Sequence, residues 1–258
     1  VARDGEGTMT IYPWMRPAVY CAKEKDPLLF EGDIEPNDID QGLLGDCYFM
    51  CALACLSEFP DLIRAAYAAP QCPELGVYRC TLCKDGWWKT HTVDDTLPIS
   101  LNTGFPAFAK NREEPNELWV SLLEKTYAKI PGSYAAIRTG DPAMALADML
   151  GAPYDRFNKR PEWEDPEAMF EYLQQCDEED HLMCVNTPGV DTSSYGGAGK
   201  NGGDGNGEDL AAKYKAVGLC TGHAFSLIRV KKTSEGHRLC MIRNPWGNEM
   251  EWNGAWSD

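Results

Sequence analysis

The chain has 258 residues, a formal net charge of −16, 43% hydrophobic and 25% charged residues, which suits a globular protein of one large domain or two modest ones. The acidic surplus excludes the basic footprint of a nucleic-acid-binding face. It is compatible with hard cations such as calcium, although a solvated surface accounts for most of these acids. No apolar run reaches the ~20 residues of a membrane span.

The charged start, Val1-Ala2-Arg3-Asp4-Gly5-Glu6, has neither the apolar core of a signal peptide nor an initiator methionine. The expectation is a cytoplasmic fragment of a longer protein whose further domains are missing here. Residues 1–40 read as irregular, with turns at Glu31-Gly32-Asp33 and Glu35-Pro36-Asn37-Asp38. Next comes Gln41-Gly42-Leu43-Leu44-Gly45-Asp46-Cys47, leading into residues 48–56, hydrophobic all round, which predicts a fully buried helix. A second helix is expected from Pro60 through Ala66, with proline in its tolerated first turn. Residues 76–97 alternate on either side of Lys84-Asp85-Gly86 and read as a hairpin. Cys80-Thr81-Leu82-Cys83 in its first strand is half of a zinc spacing without a second half. His91 on its second strand reads as structural.

Residues 117–130 predict an amphipathic helix with Leu118, Leu122, Leu123 and Tyr127 on one side and charges elsewhere, ended by Pro131-Gly132. Another is expected over residues 165–176, capped by Asp165 with Pro166 in the first turn. An exposed acidic turn with His181 precedes a strand over 182–186. Residues 189–208, dense in glycine, serine and asparagine, read as a mobile loop. Residues 224–246 pair two strands across Ser234-Glu235-Gly236, with His237 exposed at the turn. A division near Gly151 follows, into residues 1–150, rich in helix, and 151–258, mainly antiparallel sheet, in the α+β class. The eleven cysteines, an odd count without a secretory signal, read as free and mostly buried thiols in a reducing compartment.

Cys47 begins the buried helix, where unpaired N–H groups and the helix dipole favour thiolate over thiol. Gln41, six residues earlier, is a candidate oxyanion donor. The plain alternative is an inert buried cysteine, as for Cys51 and Cys55 on the same helix. Far along the chain, Thr221-Gly222-His223-Ala224 precedes a strand, and a second strand leads into Asn244-Pro245-Trp246-Gly247. Cysteine, histidine and asparagine in that order supply nucleophile, general base and orienting amide for acyl transfer.

Residues 41–53, Leu122-Leu123-Glu124-Lys125-Thr126-Tyr127-Ala128-Lys129, Gly222-His223-Ala224-Phe225-Ser226 and Ile242-Arg243-Asn244-Pro245-Trp246-Gly247 together resemble the calpain protease core, over about residues 31–258. One departure is Tyr48, where the family usually has tryptophan after the nucleophile. The resemblance implies a papain-like cysteine protease fold of two subdomains with the active-site cleft between them. It implies peptide-bond hydrolysis through a thioester, with Cys47 as nucleophile, His223 as base and acid, Asn244 orienting the ring, and Trp246 covering the pair. Gly140 and Gly222 align with glycines that pair with the backbone of an extended protein substrate, so sequence preference is expected to be weak.

Two calcium sites are implied as well. Asp38 and Glu117 match side-chain ligands of the first, beside the carbonyls of Glu31 and Asp33; Glu251 and Asp258 match part of the second, which the end of this chain leaves incomplete. The expected function is an intracellular calcium-regulated cysteine endopeptidase performing limited proteolysis. The alternative is a catalytically weak or inactive calpain-like module that binds extended segments or partners in its cleft. A transglutaminase-type acyl transferase shares nucleophile and base, but the Asn-Pro-Trp-Gly block favours the protease.

Overall fold

A helix with no polar face must be covered on every side, and helix α1, Cys47–Ser57, is: every residue after Cys47 is buried. Burying its Phe49, Met50, Leu53 and Leu56 side chains contributes roughly 1.5–3 kcal/mol each. The short helix α2, Pro60–Ala66, follows directly, and strands β1, Val77–Lys84, and β2, Trp87–Asp94, form the expected hairpin. Asp85 and Gly86 both have positive φ (53° and 81°), the two-residue turn whose twist matches the flanking strands. Tyr78, Cys80 and Leu82 of β1 point into the core, so this cysteine spacing belongs to packing. His91 pairs with Cys80 across the hairpin.

Helix α3, Trp119–Lys129, buries Trp119, Leu122, Leu123 and Tyr127. It also buries Glu124, which the amphipathic reading left among the outward charges. Helix α4, Pro142–Leu150, was not expected from periodicity; Asp141 caps it by accepting from the Ala143 N–H, and Gly151 closes it in the left-handed conformation. The structure, a computed structural model, describes residues 2–3, 9–10, 12–21, 25–157, 165–188, 207–246 and 251–257.

Helix α5, Pro166–Glu178, is capped by Asp165, whose side chain accepts from the Glu167 N–H. Strands β3, Met183–Asn186, β4, Ala224–Lys232, and β5, Arg238–Arg243, form an antiparallel sheet in the order β5-β4-β3. Its register sets Cys184 opposite Ser226 and Ser226 opposite Arg243. The glycine-rich stretch falls at 189–206 outside the described residues, while its last two positions open helix α6, Gly207–Ala216.

The apolar interior forms two clusters. The main one gathers α1, the hairpin, α3 and α4, and takes in Ala224 of β4. The smaller one holds Phe170, Leu227 and Val230, between α5 and the sheet. Mixed helices with antiparallel strands place the chain in the α+β class. Among the described residues no helix is long and apolar enough to cross a membrane.

Candidate active site

Cys47 stands at the first position of α1 with Asp46 before it, and the Asp46 carbonyl takes the N–H groups of Phe49 and Met50 at 2.8 and 3.2 Å. The Cys47 thiol lies against the backbone of Ala224, the residue after His223. A helix start near one end of the chain and a strand start near the other thus meet because α1 packs on β4.

Burial pushes the Cys47 thiol up and the Asp46 charge adds to this, while backbone hydrogen bonds with Ala224, Tyr48 and Cys47 itself pull down. The net direction is upward, opposite to what the helix terminus alone predicts. Taking charge out of water costs more here than the terminal dipole returns. A thiolate at this position therefore needs an imidazolium beside it.

His223 is buried, and burial lowers its pKa while Asn244 acts in the opposite sense. Its Nε2 lies 2.8 Å from Asn244 Oδ1. The same Oδ1 accepts the Trp246 backbone N–H at 3.1 Å, which identifies that atom as the oxygen. Nε2 must then be the protonated nitrogen, leaving the acceptor lone pair on Nδ1. The imidazole is boxed by Trp246 (centroids 4.3 Å apart) and Phe225 (4.8 Å). Its backbone is held on both sides by Thr187, which gives its N–H to the His223 carbonyl and accepts the His223 N–H at Oγ1.

Gln41 is buried beside this pair; its backbone N–H donates to Pro245 O at 3.1 Å and its Nε2 donates to Leu44 O at 2.7 Å. One of the two amide hydrogens is thereby spent within the loop. Gly140 lies against the Tyr48 ring, so close that a Cβ would come 2.2 Å from it. Gly222 has φ +65° and gives its N–H to Pro188 O at 2.9 Å, a turn that requires glycine for its own conformation.

The acidic residues fall into two groups. Glu117 accepts the Glu31 N–H at 2.6 Å and the Asn111 side-chain amide, and Asp38 accepts the Glu35 N–H at 2.8 Å. Burial and then Asp38 push the Glu117 carboxyl up to about 7, although neighbouring donors oppose the shift. Asp38 is likewise raised, first by burial. Both carboxyls are thus raised, and the Asp38 charge acts on Glu117. Asp33 is exposed on the same loop. Glu251 is exposed near the chain end, its carbonyl packed on Gly218, and Asp258 lies outside the described residues.

Sequence reasoning passed over a buried acid pair beside Cys47. Asp46 and Glu124 face each other with neither exposed. Burial pushes Asp46 up to about 7, and burial with the Asp46 charge pushes Glu124 well up, so both carboxyls are biased toward the neutral form. The available signal was an acid placed immediately before an all-apolar helix. The structure also cross-ties residues 39–41 to 243–245, because Arg243 Nη2 donates to Ile39 O at 2.9 Å.

The chain is similar to known proteins over nearly its whole length. The profile of the family described as "Calpain family cysteine protease" matches residues 3–258. The calpain-type cysteine protease ADL1 of Oryza sativa subsp. japonica is 38% identical over 257 residues, covering 95% of this chain and 11% of that protein. The calpain-type cysteine protease DEK1 of Arabidopsis thaliana is 36% identical over 252 residues, with the same shares. Human calpain-12 is 33% identical over 251 residues, 31% of its own length. The chain thus spans between about a tenth and a third of these relatives, and it belongs to the calpain family of cysteine proteases.

Proposed function

We propose that this chain is the catalytic core of an intracellular, cytoplasmic calcium-regulated cysteine endopeptidase. The carrying observation is that the Cys47 thiol lies against the residue following His223 while His223 is held by Asn244. In this reading Cys47 passes its proton to His223 Nδ1, and the sulfur attacks the scissile carbonyl carbon as that C=O bond opens. The Cys47 backbone N–H and the remaining Gln41 amide hydrogen hold the oxyanion, worth roughly 3–4 kcal/mol. The imidazolium returns its proton to the leaving amine as the C–N bond breaks, and a thioester remains. Water, deprotonated by the same Nδ1, releases the acid and restores the thiol. Trp246 shields the Asn244–His223 hydrogen bond from water.

We further read the fold as papain-like, divided into residues 1–150 and 151–258 with a cleft between. The two apolar clusters support the division. Extended segments of protein substrates would enter that cleft past Gly140, Gly222 and Trp246. The Tyr48 ring against Gly140 makes the wall there.

Asp38 and Glu117, with main-chain carbonyls of Glu31 and Asp33, are the residues that would hold a first calcium ion, because carboxyls raised by burial and by neighbouring acids are what a hard cation neutralises. Glu251 alone among the described residues speaks for a second ion, with Asp258 as its expected companion. Bound calcium supplies charge neutralisation and alignment; the chemistry stays with Cys47 and His223. The other reading, a weakly active or inactive module that captures extended segments, is separated by one experiment. Peptidase assay of this chain with calcium and with chelator, beside Cys47→Ser, should show turnover that the serine variant abolishes. No turnover by the chain in either condition, with peptide binding retained, would favour the module.

A further inference from the structure

Behind the nucleophile, α1 carries Cys51 and Cys55 one turn apart on the same side, and β3 presents Cys184 to both. The three sulfur atoms all lie within 4.8 Å of one another, the only trio of His, Cys, Asp or Glu donors this close among the described residues. We propose that Cys51, Cys55 and Cys184 form a binding site for one thiophilic d10 cation, of the zinc(II), cadmium(II) or copper(I) class, held by three sulfur ligands.

The spacing favours coordination. With Zn–S bonds of about 2.3 Å, two sulfurs of a tetrahedral site stand about 3.8 Å apart. Cys55 and Cys184 are 3.7 Å apart. A disulfide requires about 2.05 Å, so covalent pairing demands a much larger shift.

The frame is already rigid. Cys51 and Cys55 sit on a helix packed on all sides, and Cys184 is fixed by its register with Ser226. Ser226 Oγ donates to the Cys51 carbonyl at 2.9 Å, tying helix and sheet at this level, and its hydroxyl also touches the Cys51 and Cys55 thiols. That oxygen, or a water, is available as a fourth ligand. Sulfur donors select a soft or borderline ion over calcium or magnesium.

An entry path exists. A cavity of about 350 Å³ reaches Cys55 and is bordered by Glu58, Asp177, Asp180 and His181. Acidic walls raise the local cation concentration. For a divalent ion the reaction is the loss of three thiol protons to solvent and the formation of three metal–sulfur bonds, with no redox change. The bound ion would fasten α1 to β3 and, through β4, fix Cys47 relative to His223; only this last consequence rests on the proposed protease reading.

The test is a cadmium titration of the purified chain, anaerobic and with a phosphine reductant, followed by the cadmium–thiolate charge-transfer band. One equivalent should saturate the band. Cys55→Ala and Cys184→Ala should each weaken binding at least tenfold, while Cys47→Ala keeps it. At a hundredfold excess over Kd the thermal midpoint should rise by about 5–10 °C. Zinc X-ray absorption on the unmodified chain, which needs no variant to fold, should show three sulfur neighbours at about 2.3 Å. Absence of the band, its survival in Cys184→Ala, or a first shell of one sulfur from Cys47 with nitrogen from His223 would overturn the proposal.

Discussion

The Arg243 guanidinium donates to the carbonyl of Ile39 at 2.9 Å, spanning 204 positions of sequence. Arg243 immediately precedes Asn244, and Ile39 follows Asp38. Two residues further on, the Gln41 N–H reaches Pro245 O, so the loop approaching Cys47 and the strand end bearing Asn244 are fastened twice. Asp38 and Asn244 thus each adjoin one end of the same double tie.

Arg243→Lys keeps a charge but loses the planar fork that reaches Ile39. On the protease reading, kcat for a peptide substrate should fall by about ten- to a hundredfold with KM changed less, since about 1 Å of misplacement can cost that much. Unchanged kcat in a steady-state assay would show that this tie is not used.

Calcium response should depend on the Asp38–Glu117 pair. Asp38→Ala and Glu117→Ala, made separately, should each move the activating calcium concentration up by at least tenfold in activity titrations. Full activity of the unmodified chain in chelator, or an unaltered response in both variants, removes calcium from the account while leaving the protease assignment intact.

On the protease reading, Cys47 should owe its reactivity to His223. Burial and Asp46 raise the Cys47 thiol, so His223→Ala should slow alkylation of Cys47 at neutral pH by more than tenfold. Asn244→Ala should slow it less and lower kcat, because Nε2–H loses the acceptor that selects the tautomer. Mass mapping after brief iodoacetamide treatment reads both. Labelling first at Cys51, Cys55 or Cys80 in the unmodified chain would contradict the assignment.

The buried acid pair predicts how stability varies with pH. Burial raises the Asp46 carboxyl from an ordinary 3.8 to about 7 in the folded chain. A raised folded pKa means its stabilisation is fully present below the unfolded value and is lost as pH rises through about 7. Unfolding free energy from urea titrations should therefore fall over that window, and Asp46→Asn should flatten the decline. Glu117, also raised to about 7, leaves a residual slope in the same direction. An unflattened profile in Asp46→Asn would mean that Asp46 does not titrate in this window.

Gly140→Ala should destabilise the fold by about 1–3 kcal/mol, since the new methyl would stand 2.2 Å from the buried Tyr48 ring. In a Tyr48→Ala background the same change should cost much less. Equal costs in both backgrounds, measured in denaturant, would show that the ring is not what requires glycine.

Local pattern alone made much of this molecule legible. An unbroken apolar run dictates a buried α1, alternation about Asp85-Gly86 dictates the hairpin, and an Asp-Pro start dictates α5, because each follows from interactions within a few residues. Helix α4 escaped notice although Asp141-Pro142 carries the same start signal, and Glu124 was assigned outward because periodicity sees polarity and not the burial that keeps a carboxyl neutral.

Candidate chemistry was equally legible as residue types in order, Cys47, His223 and Asn244. What only the tertiary structure decided is which groups meet and at what electrostatic cost. Long-range packing of α1 on β4 brings Cys47 to Ala224, joins Arg243 to Ile39, and gathers Cys51, Cys55 and Cys184. The sign of the Cys47 shift was decided there too. A helix terminus is a property of neighbouring residues, whereas desolvation is a property of everything folded around them.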